Sequence, residues 1–204
     1  MIVYDLLGAC ASLLSTYYFI RVDSKAWPIG LFSTCFNSWL YWKNGIYADM
    51  ALQSFYFLSI CYGWHRWSKQ KHLGSTSIKR LSNKQLLSLC ITILGLYALI
   101  FNLLMSFSHS TVAKLDALTT SLSLVAQLLM CYKIITTWIL WLIADALYAL
   151  MYWHKTLPFH TLLMLPYTGM AFIGFYQWHK KDRLEKMSNL PPLPSNHSPS
   201  VPTA

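Results

Sequence analysis

Charge is scarce in this sequence of 204 residues. Charged residues make up 11% of the chain, against about 25% in a typical soluble domain. Hydrophobic residues reach 55% and the mean hydropathy is +0.40, so the composition excludes an ordinary soluble fold and predicts an all-α membrane protein. The net charge of +9 does not indicate a nucleic-acid partner, because the Lys and Arg residues lie between apolar runs rather than in a basic stripe with aromatics.

The sequence also lacks the motifs of metal binding, ATP hydrolysis and covalent catalysis. Its five cysteines are isolated, with no CxxC and no Cys/His pair at metal spacing. There is no P-loop, no pair of histidines placed for a haem, and no nucleophile beside a convincing base. We therefore expect no metal and no cofactor, and a membrane enzyme or scaffold is the less favoured hypothesis.

Seven apolar segments follow one another, each near the roughly 17–25 residues that a spanning helix needs. They cover residues 2–20, 27–42, 47–67, 84–107, 111–132, 135–153 and 159–178. Residues 1–5 lack the basic region of a signal peptide, so the first segment is expected to remain as a helix. The sequence thus predicts seven transmembrane helices in a lipid bilayer.

Basic residues indicate the orientation of these helices. With seven spans, the two largest basic clusters (residues 66–84 and 180–186) fall on the same side as Arg21, Lys25 and Lys133. Basic loops stay in the cytoplasm, so we expect the N-terminus outside and the C-terminus inside. The polar link 69–83 is expected to be mobile, and the Pro- and Ser-rich tail from residue 188 to be disordered.

The two halves of the chain align without a gap when one is shifted by 111 residues. Trp27, Tyr56 and Trp67 then meet Trp138, Tyr167 and Trp178. An odd repeat unit plus one linking span predicts a parallel 3+1+3 repeat of the SWEET type, with the ligand site between the halves near the midplane. The predicted parts are residues 1–67 (first repeat), 68–110 (basic link and linker helix), 111–180 (second repeat) and 181–204 (basic end and tail).

One apolar helix carries the strongest candidate site. Trp138, Trp141 and Asp145 lie three and four residues apart, so a helix places them on one face, which Tyr148 continues. Aromatic faces attract a cation and a carboxylate neutralises it, which suits a flat cationic ligand. An ionisable residue within a span usually faces a bundle interior or a water-filled path. The alternative is an interfacial tryptophan belt with Asp145 paired at a helix end.

The first half offers complementary polar groups. In the alignment Trp141 meets Gly30 and Asp145 meets Thr34, so the acidic aromatic face occurs only once. The candidates opposite it are Asn37 on the second segment, and Asp49, Gln53 and Tyr56, which share one face of the third. Gln53 can both donate and accept, which suits a carboxamide or sugar hydroxyls. Asp49 is an equally good candidate for a second role, in which its negative charge stabilises the N-terminus of its helix through the helix dipole.

At these residues the chain resembles the PnuC family of nicotinamide riboside transporters. The matching motifs are Trp138-x-x-Trp141-x-x-x-Asp145, Trp27-Pro28-x-Gly30, and the run from Gly45 through Gln53-x-x-Tyr56 to Tyr62-Gly63-Trp64-x-x-Trp67. The resemblance implies a SWEET-like homotrimer in the bacterial inner membrane. It also implies facilitated diffusion of the riboside for NAD synthesis, with a cytoplasmic kinase trapping it after entry. It would place the binding residues at Trp138, Trp141, Asp145, Gln53 and Tyr56.

The nature of the cargo stays open at this point. Nicotinamide riboside carries a flat cationic ring, a carboxamide and sugar hydroxyls, and it is the leading hypothesis. Thiamine is also flat and cationic, and the acidic aromatic face does not separate the two. Proton coupling through Asp49 or Asp145 is a further open alternative to passive transport by alternating access.

Overall fold

The computed structural model describes residues 2–43, 47–72, 77–107, 113–154 and 158–188. Within these ranges the chain forms seven α-helices and no β-strand beyond an isolated bridge. The helices are α1 (Ile2–Ile20), α2 (Ala26–Lys43), α3 (Tyr47–His72), α4 (Asn83–Phe107), α5 (Ala113–Cys131), α6 (Thr136–His154) and α7 (Pro158–Ser188). The prediction of an all-α protein with seven helices is confirmed.

Two helices continue beyond their apolar segments. α3 ends at His72 and α7 at Ser188, well past the Trp67 and Trp178 that close the predicted segments. Both extensions are polar and basic, contain neither Gly nor Pro, and place Lys residues in the last turn. Cations there favour the negative end of the helix dipole, so the helices run on after their hydrophobic part has ended.

α4 differs from the other helices in how much of it is exposed. It packs against α5 alone among the described elements. Its residues Asn83–Ser106 have a mean hydropathy of 2.2, and within the described chain this is the one helix whose length and apolarity alone suffice to cross a membrane. The apolar stretches Leu6–Ile20 and Thr136–Met151 are shorter. Exposed Leu87, Ile91 and Leu94 give α4 an apolar outer surface.

The other six helices form two groups of three. α2 packs against both α1 and α3, and α6 packs against both α5 and α7. The groups meet where α3 contacts α5 and where α1 contacts α7. The space between them is therefore bounded by all six helices, and α4 lies outside it.

Four buried tryptophans form the centre of the largest hydrophobic cluster. Trp27 meets Trp67 edge to face at 5.3 Å between ring centroids, and Trp138 meets Trp178 in the same way at 5.5 Å. Trp67 and Trp178 lie 6.3 Å apart and join the two pairs. Aromatic pairs in this geometry stabilise a core beyond their burial alone.

Hydrogen bonds from this cluster cross between the two groups. The indole N–H of Trp67 on α3 donates to the carbonyl oxygen of Cys131, the last residue of α5, at 3.2 Å. The indole N–H of Trp178 on α7 donates to the carbonyl oxygen of Ile20, the last residue of α1, also at 3.2 Å. Each third helix is thus fastened to the end of the other group's first helix.

The link before α4 is partly fixed, contrary to the expectation of a mobile segment over residues 69–83. The amide of Lys79 donates to the carbonyl of Lys133 at 2.9 Å, and the amide of Ile135 donates to the carbonyl of Lys79 at 3.0 Å. Ile78 is buried, and Arg80 pairs with Asp182 of α7 at 2.7 Å. The sequence pattern did not indicate these partners, because they lie far along the chain.

Candidate functional site

A cavity of about 330 Å³ lies between the two groups of three helices. Pockets for small ligands commonly start at roughly this size. Every helix except α4 contributes to it. Its lining residues are Ser12, Ser15, Thr16, Phe19, Gly30, Ser33, Thr34, Asn37, Gln53, Tyr56, Ile60, Gln127, Met130, Trp138, Trp141, Asp145, Tyr148, Met164, Tyr167 and Ala171.

Seven of the eight residues predicted for the site line this cavity. α6 presents Trp138, Trp141, Asp145 and Tyr148 on one face, as their spacing requires, and the other group contributes Asn37, Gln53 and Tyr56. The eighth, Asp49, lies near the start of α3, and its side chain falls outside the described part of the structure.

The Asp145 carboxylate is the central feature of the cavity. Only 8% of the residue is exposed. Both ion pairs recorded in the described part of the chain involve Asp182, and no described donor or cation lies within bonding distance of Asp145. A buried carboxylate is costly unless it is paired, and the described part of the protein supplies no cation to offset that cost.

Aromatic side chains surround this carboxylate. Trp138 is buried, and its indole Nε1 has no hydrogen-bond partner in the described part of the chain. Its ring is fixed between Trp178 and the backbone of α7, where a Cβ on Gly174 would collide with it. Trp141 is only partly buried and lies one turn closer to Asp145. One indole is therefore held rigidly, and the other offers more of its surface to the cavity.

The opposite wall carries small hydroxyl groups. The Ser12 and Ser33 hydroxyl oxygens lie 2.6 Å apart, and Asn37 donates its amide to Ser33 at 3.4 Å. Gly8 allows this arrangement, since a Cβ there would collide with the Asn37 side chain. These groups can donate to and accept from a polar ligand such as a sugar.

Most lining residues fall into pairs that are 111 positions apart in the sequence. The pairs are Thr16/Gln127, Phe19/Met130, Gly30/Trp141, Thr34/Asp145, Asn37/Tyr148, Gln53/Met164, Tyr56/Tyr167 and Ile60/Ala171. Corresponding positions of the two halves thus face the same space with different chemistry. The carboxylate and the indoles come from the second half alone, whereas both halves contribute amides and hydroxyls.

Several lining residues were missed from sequence. Tyr167 was available from the repeat, because it aligns with the predicted Tyr56. Gln127 is a polar residue inside an apolar helix and is buried, a signal comparable to that of Asp145. Ser12 and Ser33 carry no signal of their own, since serine is common at ordinary helix contacts in membranes.

The cavity ends against the tryptophan cluster. Phe19, Ile60, Met130, Trp138 and Ala171 belong both to its lining and to that hydrophobic core. Beyond the core lie Lys133 and the basic ends of α3 and α7. The cavity is therefore closed towards the basic side of the molecule.

Within the described ranges there is no group of three or more metal-ligating side chains.

Known proteins share this sequence pattern and fold. The nicotinamide riboside transporters PnuC of Escherichia coli (strain K12) and of Shigella flexneri are each 23% identical to this chain over 206 residues, covering 86% of both partners. The crystal structure of the vitamin B3 transporter PnuC superposes with a TM-score of 0.71 at 22% identity, covering 87% of this chain and 81% of that one. At that identity the likeness shows the fold alone.

A family model matches nearly all of the described chain. The model of the nicotinamide mononucleotide transporter family covers residues 2–180, from the start of α1 into the basic end of α7. All six helices that enclose the cavity lie within that range. The chain therefore belongs to the nicotinamide mononucleotide transporter family, whose members are integral membrane transporters and not enzymes.

Proposed function

We propose that this protein carries nicotinamide riboside across the bacterial inner membrane by facilitated diffusion. The observation that carries the proposal is the unpaired Asp145 carboxylate, buried beside two indoles in a cavity between the two groups of helices. A single cationic ring supplies the charge that this site lacks. The names of the curated relatives point to the same cargo.

The cavity suggests an orientation for the riboside. The pyridinium ring would lie against Trp141 and Trp138 with its charge near Asp145. The carboxamide and ribose would then meet the polar groups of the first half, chiefly Gln53, Asn37 and the hydroxyl-bearing wall. Tyr56 and Tyr148 would border the ring, and Asp49 would act only from the outer end of its helix.

The test is a comparison of two ligands that differ in ring charge. Calorimetric titration of the detergent-purified protein with nicotinamide riboside and with its neutral dihydro form should show clear preference for the cation. Asp145→Asn should abolish that preference, while Asp23→Asn, in the α1–α2 turn, should keep it. Equal binding of both forms by the unaltered protein would contradict the proposal.

Thiamine is the alternative cargo, because it is also flat and cationic. A titration with thiamine under the same conditions distinguishes the two vitamins. Binding of thiamine alone would retain the site and change the cargo. Binding of neither would favour a scaffold over a transporter of cationic vitamins. Uptake that survives a collapsed proton gradient would support passive transport over coupling through Asp145 or Asp49.

The architecture we propose is a parallel 3+1+3 repeat of seven spanning helices with α4 as the linker. It divides the chain into residues 1–67, 68–110, 111–180 and 181–204. The grouping of α1–α3 and α5–α7, and the cavity pairs 111 residues apart, support it. So do Val22 (φ 58°) and Lys133 (φ 56°), the non-glycine residues with left-handed backbone in the described part of the chain, which occupy corresponding turns. Rocking of the two halves about the cavity would give alternating access.

The same proposal includes an external N-terminus, a cytoplasmic C-terminus and a homotrimer. The basic residues that follow α1 and α5 and those in the C-terminal turns of α3 and α7 support the orientation, and the trimer follows from the family resemblance. Protease accessibility of tags at each terminus in sealed vesicles tests the orientation. Light scattering of the purified protein tests the subunit number.

A further inference from the structure

A second concave surface lies outside the central cavity, in a groove of about 480 Å³ where α7 passes the end of α1. One part of the groove is apolar and open to the surroundings. Phe172 and Tyr176 are each 64% exposed and Ile173 is 48% exposed. Together with the buried Ile20, they form an apolar strip along the outside of α7.

The other part of the groove is basic. It is lined by Arg21, Lys180 and Lys181. The indole of Trp178 brings these residues together, because its hydrogen bonds to the carbonyls of Phe19 and Ile20 hold α7 against the end of α1. Three cations, two on α7 and one just past the end of α1, thus converge at one end of an apolar strip.

These cations have no carboxylate partners among the described residues. The nearby Asp182 is already paired with Arg80 at 2.7 Å and Lys186 at 3.2 Å. Glu185 lies one turn beyond Lys181 and makes no recorded ion pair with it. The guanidinium carbon of Arg21 lies 5.2 Å from the centroid of the Tyr17 ring, and Arg21 takes part in neither of the ion pairs recorded among the described residues. The groove therefore presents uncompensated positive charge.

The order of the two parts matches an anionic phospholipid. The cations at 180 and 181 follow the apolar residues 172–176 by one to two turns, roughly 6–12 Å along the helix. Basic pockets at the cytoplasmic end of membrane helices bind anionic head groups, and exposed apolar side chains just above them face acyl chains. We propose that this groove binds one anionic phospholipid, with its phosphate between Arg21 and Lys180 and an acyl chain along Phe172 and Tyr176.

A second copy of this chain is a poorer occupant. The sequence has 16 Lys and Arg residues against 7 Asp and Glu. Packing the groove against an identical subunit would require an acidic surface to face three cations. Of the seven acidic residues, Asp182 is already engaged and Asp145 is buried in the cavity, which leaves five against the basic majority. Charge complementarity therefore favours a lipid phosphate.

The experiment is native mass spectrometry of the full-length protein in detergent, with phosphatidylglycerol or phosphatidylcholine added. The test variant carries Arg21→Gln and Lys180→Gln. The matched control carries Lys69→Gln and Lys71→Gln, which remove the same charge from the exposed end of α3. A third variant, Tyr176→Ala, alters the apolar part and leaves every charge in place. Thermal unfolding of each variant verifies that it is folded.

We expect the unaltered protein and the α3 control to retain phosphatidylglycerol in preference to phosphatidylcholine. Each basic residue at an anionic lipid surface contributes about a fivefold change. The affinity of the folded test variant should therefore fall about thirtyfold, and Tyr176→Ala should weaken binding of both lipids.

Three results would overturn the proposal. The first is equal retention of phosphatidylglycerol by the test variant. The second is displacement of the lipid by millimolar inorganic phosphate, which would indicate a simple anion site. The third is a change of subunit number in the test variant with lipid retention unchanged, which would make the groove an interface between copies.

Discussion

Trp178 donates its indole N–H to the carbonyl oxygen of Ile20, 158 residues earlier in the chain. Trp67 makes the corresponding bond to Cys131, so two tryptophans in equivalent positions close the same end of the cavity. Both bonds cross between the groups of helices. Any motion that opens the cavity towards the basic side must lengthen them.

Replacing either tryptophan by phenylalanine should weaken this closure. Trp178→Phe and Trp67→Phe keep most of the ring and remove the N–H, and a buried carbonyl then loses a donor. The lost hydrogen bond alone should lower the free energy of unfolding by about 1 kcal/mol in each variant, and the space left by the smaller ring adds to that loss because both indoles are buried. Denaturant titration of the purified variants measures it. Trp153→Phe, at a residue that is 73% exposed, is the control, and stability equal to that control in both variants would contradict the closure.

Gly174→Ala should be destabilising because its new methyl group would collide with the Trp138 ring. Overpacking of this kind typically costs about 1–3 kcal/mol, and it would also displace an indole that lines the cavity. Gly169→Ala, five residues earlier on α7, is the control, since nothing lies within 4 Å of the added atom. Helix propensity alone should make that variant neutral or slightly more stable. Thermal unfolding and riboside titration measure both effects, and equal behaviour of the two variants would show that Trp138 is free to move.

Asp145→Asn should stabilise the ligand-free protein while it lowers affinity for a cation. The carboxylate is buried without a partner, so its removal relieves a desolvation cost. Asp182→Asn is the contrast, because it breaks pairs with Arg80 and Lys186 and should be destabilising. Unfolding temperatures without and with riboside measure both effects. Lower stability of ligand-free Asp145→Asn would indicate a structural partner for the carboxylate.

Lys133 should make stability depend on alkaline pH. Burial in the α5–α6 turn, reinforced by the nearby Lys181 cation, lowers the pKa of this amine from 10.5 to about 8. Between these two values the unfolded chain holds a proton that the folded chain has lost, so stability rises with pH across that window. Below pH 8 both states are protonated, and the folded protein bears the full cost of the buried charge.

Lys133→Met should therefore flatten the pH dependence. The measurement is the difference in unfolding free energy between the unaltered protein and the variant at pH 7, 8, 9 and 10. The exposed Lys69→Met serves as the control for general alkaline effects. The difference should shrink as pH rises. A difference that is constant with pH would mean that the amine keeps its proton throughout this range. The Trp67 ring, 4.8 Å from the ammonium, would then stabilise the charge.

The helices and one wall of the site could be predicted because local rules determine them. Apolar segment lengths gave seven helices, and three- and four-residue spacing placed Trp138, Trp141 and Asp145 on one face. The C-terminal extensions of α3 and α7 were missed. A prediction from hydropathy ends with the last apolar residues, whereas a helix of polar and basic residues can continue beyond them. The contacts of Lys79, Arg80 and Asp182 were also inaccessible, because a polar link carries no period that indicates a distant partner.

The rest of the cavity required information on which helices meet. The repeat aligns Tyr167 with Tyr56, so Tyr167 could have been predicted from the sequence. The hydroxyl wall formed by Ser12 and Ser33 could not, because it depends on how closely α1 and α2 approach each other at Gly8. Small residues give no pattern that separates a ligand wall from a packing contact. Asp145 was recognisable because a lone acid in an apolar helix is costly wherever it lies.

The pairing of Thr34 with Asp145 has a consequence for how such a cavity can arise. Two identical three-helix units arranged about a two-fold axis would place either two carboxylates or none around one space. Two carboxylates would repel each other or require a divalent cation between them. A cavity without a carboxylate would offer a bound cation no opposite charge. In the proposed 3+1+3 arrangement, joining the units through α4 would allow one copy to keep threonine while the other carries the acid. Such a fusion would give the cavity one carboxyl group, which a symmetric dimer cannot have.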